Sequence, residues 1–151
     1  MKKTSVAAAV ALAALALTGC SASQSTDDGA VQRWLEERAD STDGVAQLSG
    51  LAVKPDDERT LDGAIAAGEA VRIDFESPRQ IASVEFECFG AETMDASIYY
   101  ESGSGQVGTG GTDVRCADGP IAIDVGAAPL SAIAASGIND DGFGAWSVTV
   151  R

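Results

Sequence analysis

Two apolar stretches carry carboxylates at every second position: Asp74 and Glu76 in residues 71–76, and Glu85 and Glu87 in residues 82–88. In an extended chain, residues two apart project from one face. If the two stretches pair as a hairpin, the four carboxylates form one acidic patch. A pair separated by about 5–9.5 Å serves as acid and base on a glycoside. A tighter cluster of several oxygens suits calcium. The competing reading is a solvated sheet face partly neutralised by Arg72 and Arg79, and alternating charge on a wet face favours it.

Other chemistry is bounded by what the chain lacks. It contains no histidine. A Ser-His-Asp triad needs an imidazole to carry the proton, and most catalytic zinc sites need imidazole ligands. Gly103-Ser104-Gly105-Gln106-Val107-Gly108 matches the dinucleotide pattern G-x-G-x-x-G. That pattern works only where a helix follows and aims its N–H groups at phosphate. Thr109-Gly110-Gly111-Thr112 follows instead, so the run reads as a mobile glycine-rich hairpin loop. Asn139-Asp140-Asp141-Gly142 lacks the spaced acidic ladder of a calcium loop and reads as a turn. No cofactor is implied.

Positioning these residues falls to a succession of short strands. Val71, Ile73 and Phe75 alternate with polar residues, and Ser77-Pro78-Arg79-Gln80 reads as a turn. Ala82, Val84, Phe86 and Cys88 share one phase, as do Ala96, Ile98 and Tyr100. Val114 and Cys116 end a further strand, and Ile121, Ile123 and Val125 mark another. Residues 131–138 form a short apolar run, and Trp146, Val148 and Val150 close the chain as a strand. Residues 45–53 read as a strand interrupted by Gly50, and residues 54–68 are ambiguous, with Pro55 able to open a helix. Before them, Val31, Trp34, Leu35 and Arg38 share one face of a short helix capped by Asp27 or Asp28. Six or seven strands between Gly, Pro, Asp and Ser turns predict an antiparallel β-sandwich of jelly-roll type with a short N-terminal helix. Trp146 and Tyr100 have core phasing. Phe89 and Tyr99 have the opposite phase, so they join Glu85 and Glu87 as the predicted ligand surface.

The N-terminus carries an address. Met1-Lys2-Lys3 is a positive start, and residues 6–17 are an apolar run shorter than the roughly 20 residues that span a bilayer. Leu17-Thr18-Gly19-Cys20 resembles the lipobox of bacterial lipoproteins. The resemblance implies cleavage after Gly19 and a diacylglycerol thioether, with further acyl chains such as palmitate, on Cys20. It places the protein on the extracytoplasmic side of the cell membrane, held by lipid. Two or more acyl chains anchor stably where one does not. The organisation expected is a signal peptide over residues 1–19, lipidated Cys20 with a flexible tether over 20–30, and one domain over 31–151.

Setting Cys20 aside for lipid leaves Cys88 and Cys116. In an oxidising compartment an even remainder predicts a disulfide. No Cys-x-x-Cys spacing supports a redox or metal pair. Phe86-Glu87-Cys88-Phe89-Gly90 and Cys116-Ala117-Asp118-Gly119 resemble the paired-cysteine signatures of small exported lipoproteins without assigned function. Residues 71–84 resemble the strand–turn–strand of discoidin-type, galactose-binding-like jelly rolls. No ligand residue follows from either likeness.

The net charge of −13 repels phosphate backbones and anionic head groups, which excludes nucleic acid as a partner. The expectation is a membrane-tethered, non-enzymatic module binding an envelope component, a small ligand or a protein. The alternatives are a carboxylate-based hydrolase using Glu85 or Glu87, and a purely structural envelope lipoprotein.

Overall fold

The computed structural model describes residues 28–41, 44–56, 58, 60–126 and 128–151. The predicted signal peptide, Cys20 and Asp27 lie outside the described residues.

Period-two alternation builds two four-stranded antiparallel sheets. In chain order the elements are α1 (Asp28–Ala39), β1 (Ala46–Leu51), α2 (Leu61–Ala66), β2 (Val71–Gln80), β3 (Ser83–Phe89), β4 (Thr93–Ser102), β5 (Gly105–Arg115), β6 (Ile121–Asp124), β7 (Pro129–Ile138) and β8 (Ala145–Val150). One sheet has the order β1-β8-β3-β6 and the other β2-β7-β4-β5. The predicted mainly-β sandwich is present. The helix opens at Asp28, inside the stretch expected as tether.

The inward phases meet as expected. Val84, Phe86 and Cys88 of β3, Ala96 and Ile98 of β4, and Trp146, Val148 and Val150 of β8 are buried in one core. Trp146 fixes two glycines. A Cβ on Gly137 would sit 2.5 Å from its Cδ1, and one on Gly50 would sit 3.0 Å from its Cζ2. Gly50 therefore does not break the strand; it makes room for the indole. The indole Nε1 donates to the Leu51 carbonyl at 3.1 Å.

Three expectations need correction. β2 and β3 do not form a hairpin, because they lie in different sheets. Ser77 to Gln80 is not a turn. The chain stays extended but leaves its ladder between Asp74 and Arg79, then re-pairs Arg79 with Leu130. Pro78 has no N–H to donate, and a strand tolerates it only at an edge or a bulge. The glycine run from Gly103 is not a loop either. Only Gly103 and Ser104 turn, and β5 begins at Gly105.

Residues 131–138 read as a short run because their apolar residues are small. They belong to a ten-residue strand between β2 and β4, buried on both faces. Asn139 to Gly142 is the turn expected. The Asn139 side chain both donates to the Phe143 carbonyl and accepts from its N–H. Cys88 and Cys116 form a disulfide with Cα atoms 4.7 Å apart. It ties β3 of one sheet to the segment leaving β5 of the other.

Candidate functional site

The two outer faces of the sandwich differ, and the predicted surface residues divide between them. Glu85, Glu87 and Phe89 point outward from β3, while Tyr99 points outward from β4 in the opposite sheet. Asp74 and Glu76 belong to that opposite sheet as well. The expected four-carboxylate patch is therefore not assembled. Among the described residues no group of three or more His, Cys, Asp or Glu is arranged to hold a metal ion.

Helix α1 seals the face that carries Glu85, Glu87 and Phe89. Val31 and Trp34 are the buried residues of its inner stripe. Trp34 stacks on Phe89 with ring centroids 5.8 Å apart and planes inclined by 11°. Arg38, one turn on, lies 5.0 Å over the Trp34 ring and grips Glu87 through two hydrogen bonds of 2.9 and 2.7 Å. The Glu87 carboxylate, chiefly by accepting these bonds, raises the guanidinium pKa above its ordinary value. Glu85 is held by Arg151 at 2.7 Å. Both carboxylates and Phe89 are thus engaged by partners within the fold.

On the other outer face, larger side chains stand over a row of small ones. Its floor is Ala132, Ala134 and Ser136 of β7, all buried although they face away from the main core. Small side chains there leave a trough between larger neighbours on β2 and β4. Register sets the walls: Arg72 and Tyr99 both pair with Ala134, and Asp74 and Glu101 both pair with Ala132. Arg72 bridges the trough, with Nη1 at 2.8 Å from Glu101 and Nη2 at 2.6 Å from Asp74. Its hydrogen bonds hold both carboxyls below the usual carboxylate range. The Tyr99 ring lies over Gly108 of β5, where a Cβ would stand 3.4 Å from the ring.

At one end of the trough, α2 closes a cleft of about 90 Å³. Thr60 caps α2 by accepting the Gly63 N–H at 3.2 Å. The helix contributes Leu61 and Ala64; Lys54, Glu69, Tyr99 and Ser136 supply polar groups. Of the predicted surface residues, only Tyr99 reaches this cleft. Lys54, Glu69 and Ser136 were not picked out from sequence, because each comes from a segment with no motif. One signal was legible: Lys54 is the only lysine after Lys3.

Two larger depressions lie elsewhere. One of about 530 Å³ is rimmed by Glu92, Asp140 and Asp141 in the β3–β4 and β7–β8 loops. Another of about 310 Å³ lies between the first turns of α1 and residues 142–144. Neither includes Glu85, Glu87 or Tyr99.

No family model, no curated protein and no solved structure matches this chain.

Proposed function

We propose that the chain is a membrane-anchored extracytoplasmic lipoprotein whose sandwich serves as a non-enzymatic binding module. The observation that carries this reading is the contrast between the two outer faces. One is sealed by α1 through Trp34, Phe89 and the Arg38–Glu87 pair. The other keeps a cleft where Tyr99, Lys54, Glu69 and Ser136 converge on apolar walls. A concave site with a few convergent polar groups is the usual form of a small-ligand site. The volume limits the occupant. A cavity of roughly 150 Å³ holds benzene, so this cleft of about 90 Å³ takes only a few heavy atoms. That suits a small molecule, or one side chain or sugar substituent of a larger envelope component.

The anchor rests on the resemblance of Leu17-Thr18-Gly19-Cys20 to a lipobox. The hydrolase reading has less behind it. Glu85 and Glu87 are each engaged by an arginine, and neither lines any of the three clefts described.

Two measurements test the proposal. Fractionation of cells expressing the chain and its Cys20→Ser variant tests the anchor: the parent should sediment with membranes and the variant should be released. Equal distribution of the two defeats lipidation at Cys20. Thermal unfolding of the released variant against a panel of cell-wall glycans and small metabolites tests the site. A ligand at 100 times its Kd adds about 2.7 kcal/mol of stability, a shift of several degrees. Tyr99→Ala should abolish the shift without lowering the unliganded midpoint by more than a few degrees. A shift that survives Tyr99→Ala places binding elsewhere and defeats the cleft.

A further inference from the structure

Each sheet ends in two edge strands, and natural sheets guard such edges because unpaired N–H and C=O groups template the addition of another strand. Three of the four edges here are guarded. β2 carries Arg72, Asp74, Glu76, Pro78 and Arg79 and a register break. β6 is four residues long and ends in Asp124. β1 is six residues long and packs against α1 and β2.

The fourth edge is different. Among the described residues β5 is the longest strand, at eleven residues, and pairs only with β4. Residues 102–112 include no charged side chain and no proline in a chain whose residues are 22% charged. Gly105 to Gly108, Gly110 and Thr112 are exposed, as is Val107 at 42%. Two of the glycines have packing reasons of their own: a Cβ on Gly110 would lie 2.0 Å from the Ala96 carbonyl oxygen, and one on Gly111 3.2 Å from Ile121 Cδ1. They do not account for the missing charge. The single irregularity comes at the far end, where Asp113 adopts φ 51° and donates its N–H to Asp95.

We infer that the free edge of β5 pairs antiparallel with β5 of a second copy, joining two four-stranded sheets into one. The charge pattern selects a second copy over a foreign strand. A chain of net charge −13 meeting itself can pair only where no like charges face each other. Any twofold pairing centred between Gln106 and Gly111 meets that condition, because Asp113 and Arg115 then face uncharged positions or the turn. A foreign partner for so acidic a protein would be selected by positive charge, and this edge carries no acidic residue to attract it. A twofold contact uses the same patch on both copies, so one neutral strand suffices.

Single cysteines introduced into the full chain at Gln106, Val107, Thr109 or Thr112 test this by oxidative cross-linking in cells, with Gln32→Cys on α1 as the control. In a twofold strand pair, the distance between equivalent residues is smallest at the axis and grows by about 7 Å for each step away. The expected result is covalent homodimer with one maximum along the strand, none at Gln32, and loss of dimer when Val107→Lys is added to Thr109→Cys. Retention of the Cys88–Cys116 bond identifies variants that fold, and four positions keep the test open if one does not. A flat profile, yields no higher than the Gln32 control, a dimer indifferent to Val107→Lys, or cross-links to a different protein would each overturn the inference.

Discussion

Arg38 of α1 reaches Glu87 of β3 across 49 residues of sequence, with both guanidinium contacts below 3 Å, while its flat face lies over Trp34. One side chain thus couples the apolar and the ionic halves of the helix–sheet contact. The pair is half-exposed, with 32% and 24% of the two side chains accessible. Its net contribution is therefore modest, about 1 kcal/mol. Trp34 is buried and should matter more. Trp34→Ala is expected to cost about 3–5 kcal/mol, and Arg38→Ala about 1–2 kcal/mol, because it removes stacking as well as charge. Urea denaturation of the two variants and of Glu87→Gln checks the order. Equal losses for Trp34→Ala and Arg38→Ala would mean that the ion pair, not the aromatic stack, holds α1 down.

Gly137 is buried and leaves no room for a side chain. A methyl group there would meet Met94 Sδ and Trp146 Cδ1, both at 2.5 Å. Trp146 is wholly buried and its Nε1–H is committed to Leu51, so the indole cannot swing aside without breaking that bond. Gly137→Ala should destabilise by about 1–3 kcal/mol, the usual cost of overpacking. Gly68→Ala serves as a contrast, since open space surrounds that position although its φ of 75° favours glycine. Thermal midpoints would distinguish them: a larger loss at Gly68 would show that backbone conformation outweighs packing here.

Why the strands were legible and their partners were not follows from range. Burial on one face imposes a period of two, so Val84, Phe86 and Cys88, or Trp146, Val148 and Val150, announce themselves locally. Pairing has no such local trace. β2 and β3 follow one another closely, yet they occupy opposite sheets, and nothing in residues 71–89 separates a hairpin from a crossover. The acidic patch failed for that reason. The carboxylates have the phase expected of them, but Glu85 and Glu87 meet Arg151 and Arg38, which lie 66 and 49 residues away. Phe89 likewise has the outward phase expected, and it is covered because a helix read separately from sequence docks there. The cleft beside Tyr99 was illegible because Ser136 and Glu69 owe their proximity to the pairing of β7 beside β2 and to a six-residue helix.

The Cys88–Cys116 bond links the two sheets across 28 residues of sequence. Closing a loop of that length restricts the unfolded chain by roughly 3–4 kcal/mol in the chain-entropy account. Reduction, or the double variant Cys88→Ala with Cys116→Ala, should lower stability by about that amount. The fold should still form under mild conditions, because the surrounding core of Phe86, Met94 and Val114 stays intact. Urea midpoints with and without reductant measure the loss. A change under about 1 kcal/mol would place most of the stability in the core and leave the bond a minor role.

Arg72 makes the face opposite α1 sensitive to acid. Asp74 and Glu101 have ordinary pKa values of 3.8 and 4.5, and in the folded protein both are lowered, first by hydrogen bonds from Arg72. A carboxyl with a depressed folded-state pKa stabilises the fold above its unfolded value. That contribution is lost as pH falls through the folded value. The window therefore opens below pH 4.5 for Glu101 and below 3.8 for Asp74, and extends downward to their lowered values. Both groups are solvent-accessible, so screening keeps the effect small and salt should weaken it further. Titration of the carboxyl carbons by NMR should find both below their ordinary values. In Arg72→Gln both should return toward them, because Arg72 contacts each carboxylate through two nitrogens. If neither moves, the bridge across the trough does not form in solution, and the wall that Arg72 gives the trough beside Ala134 goes with it.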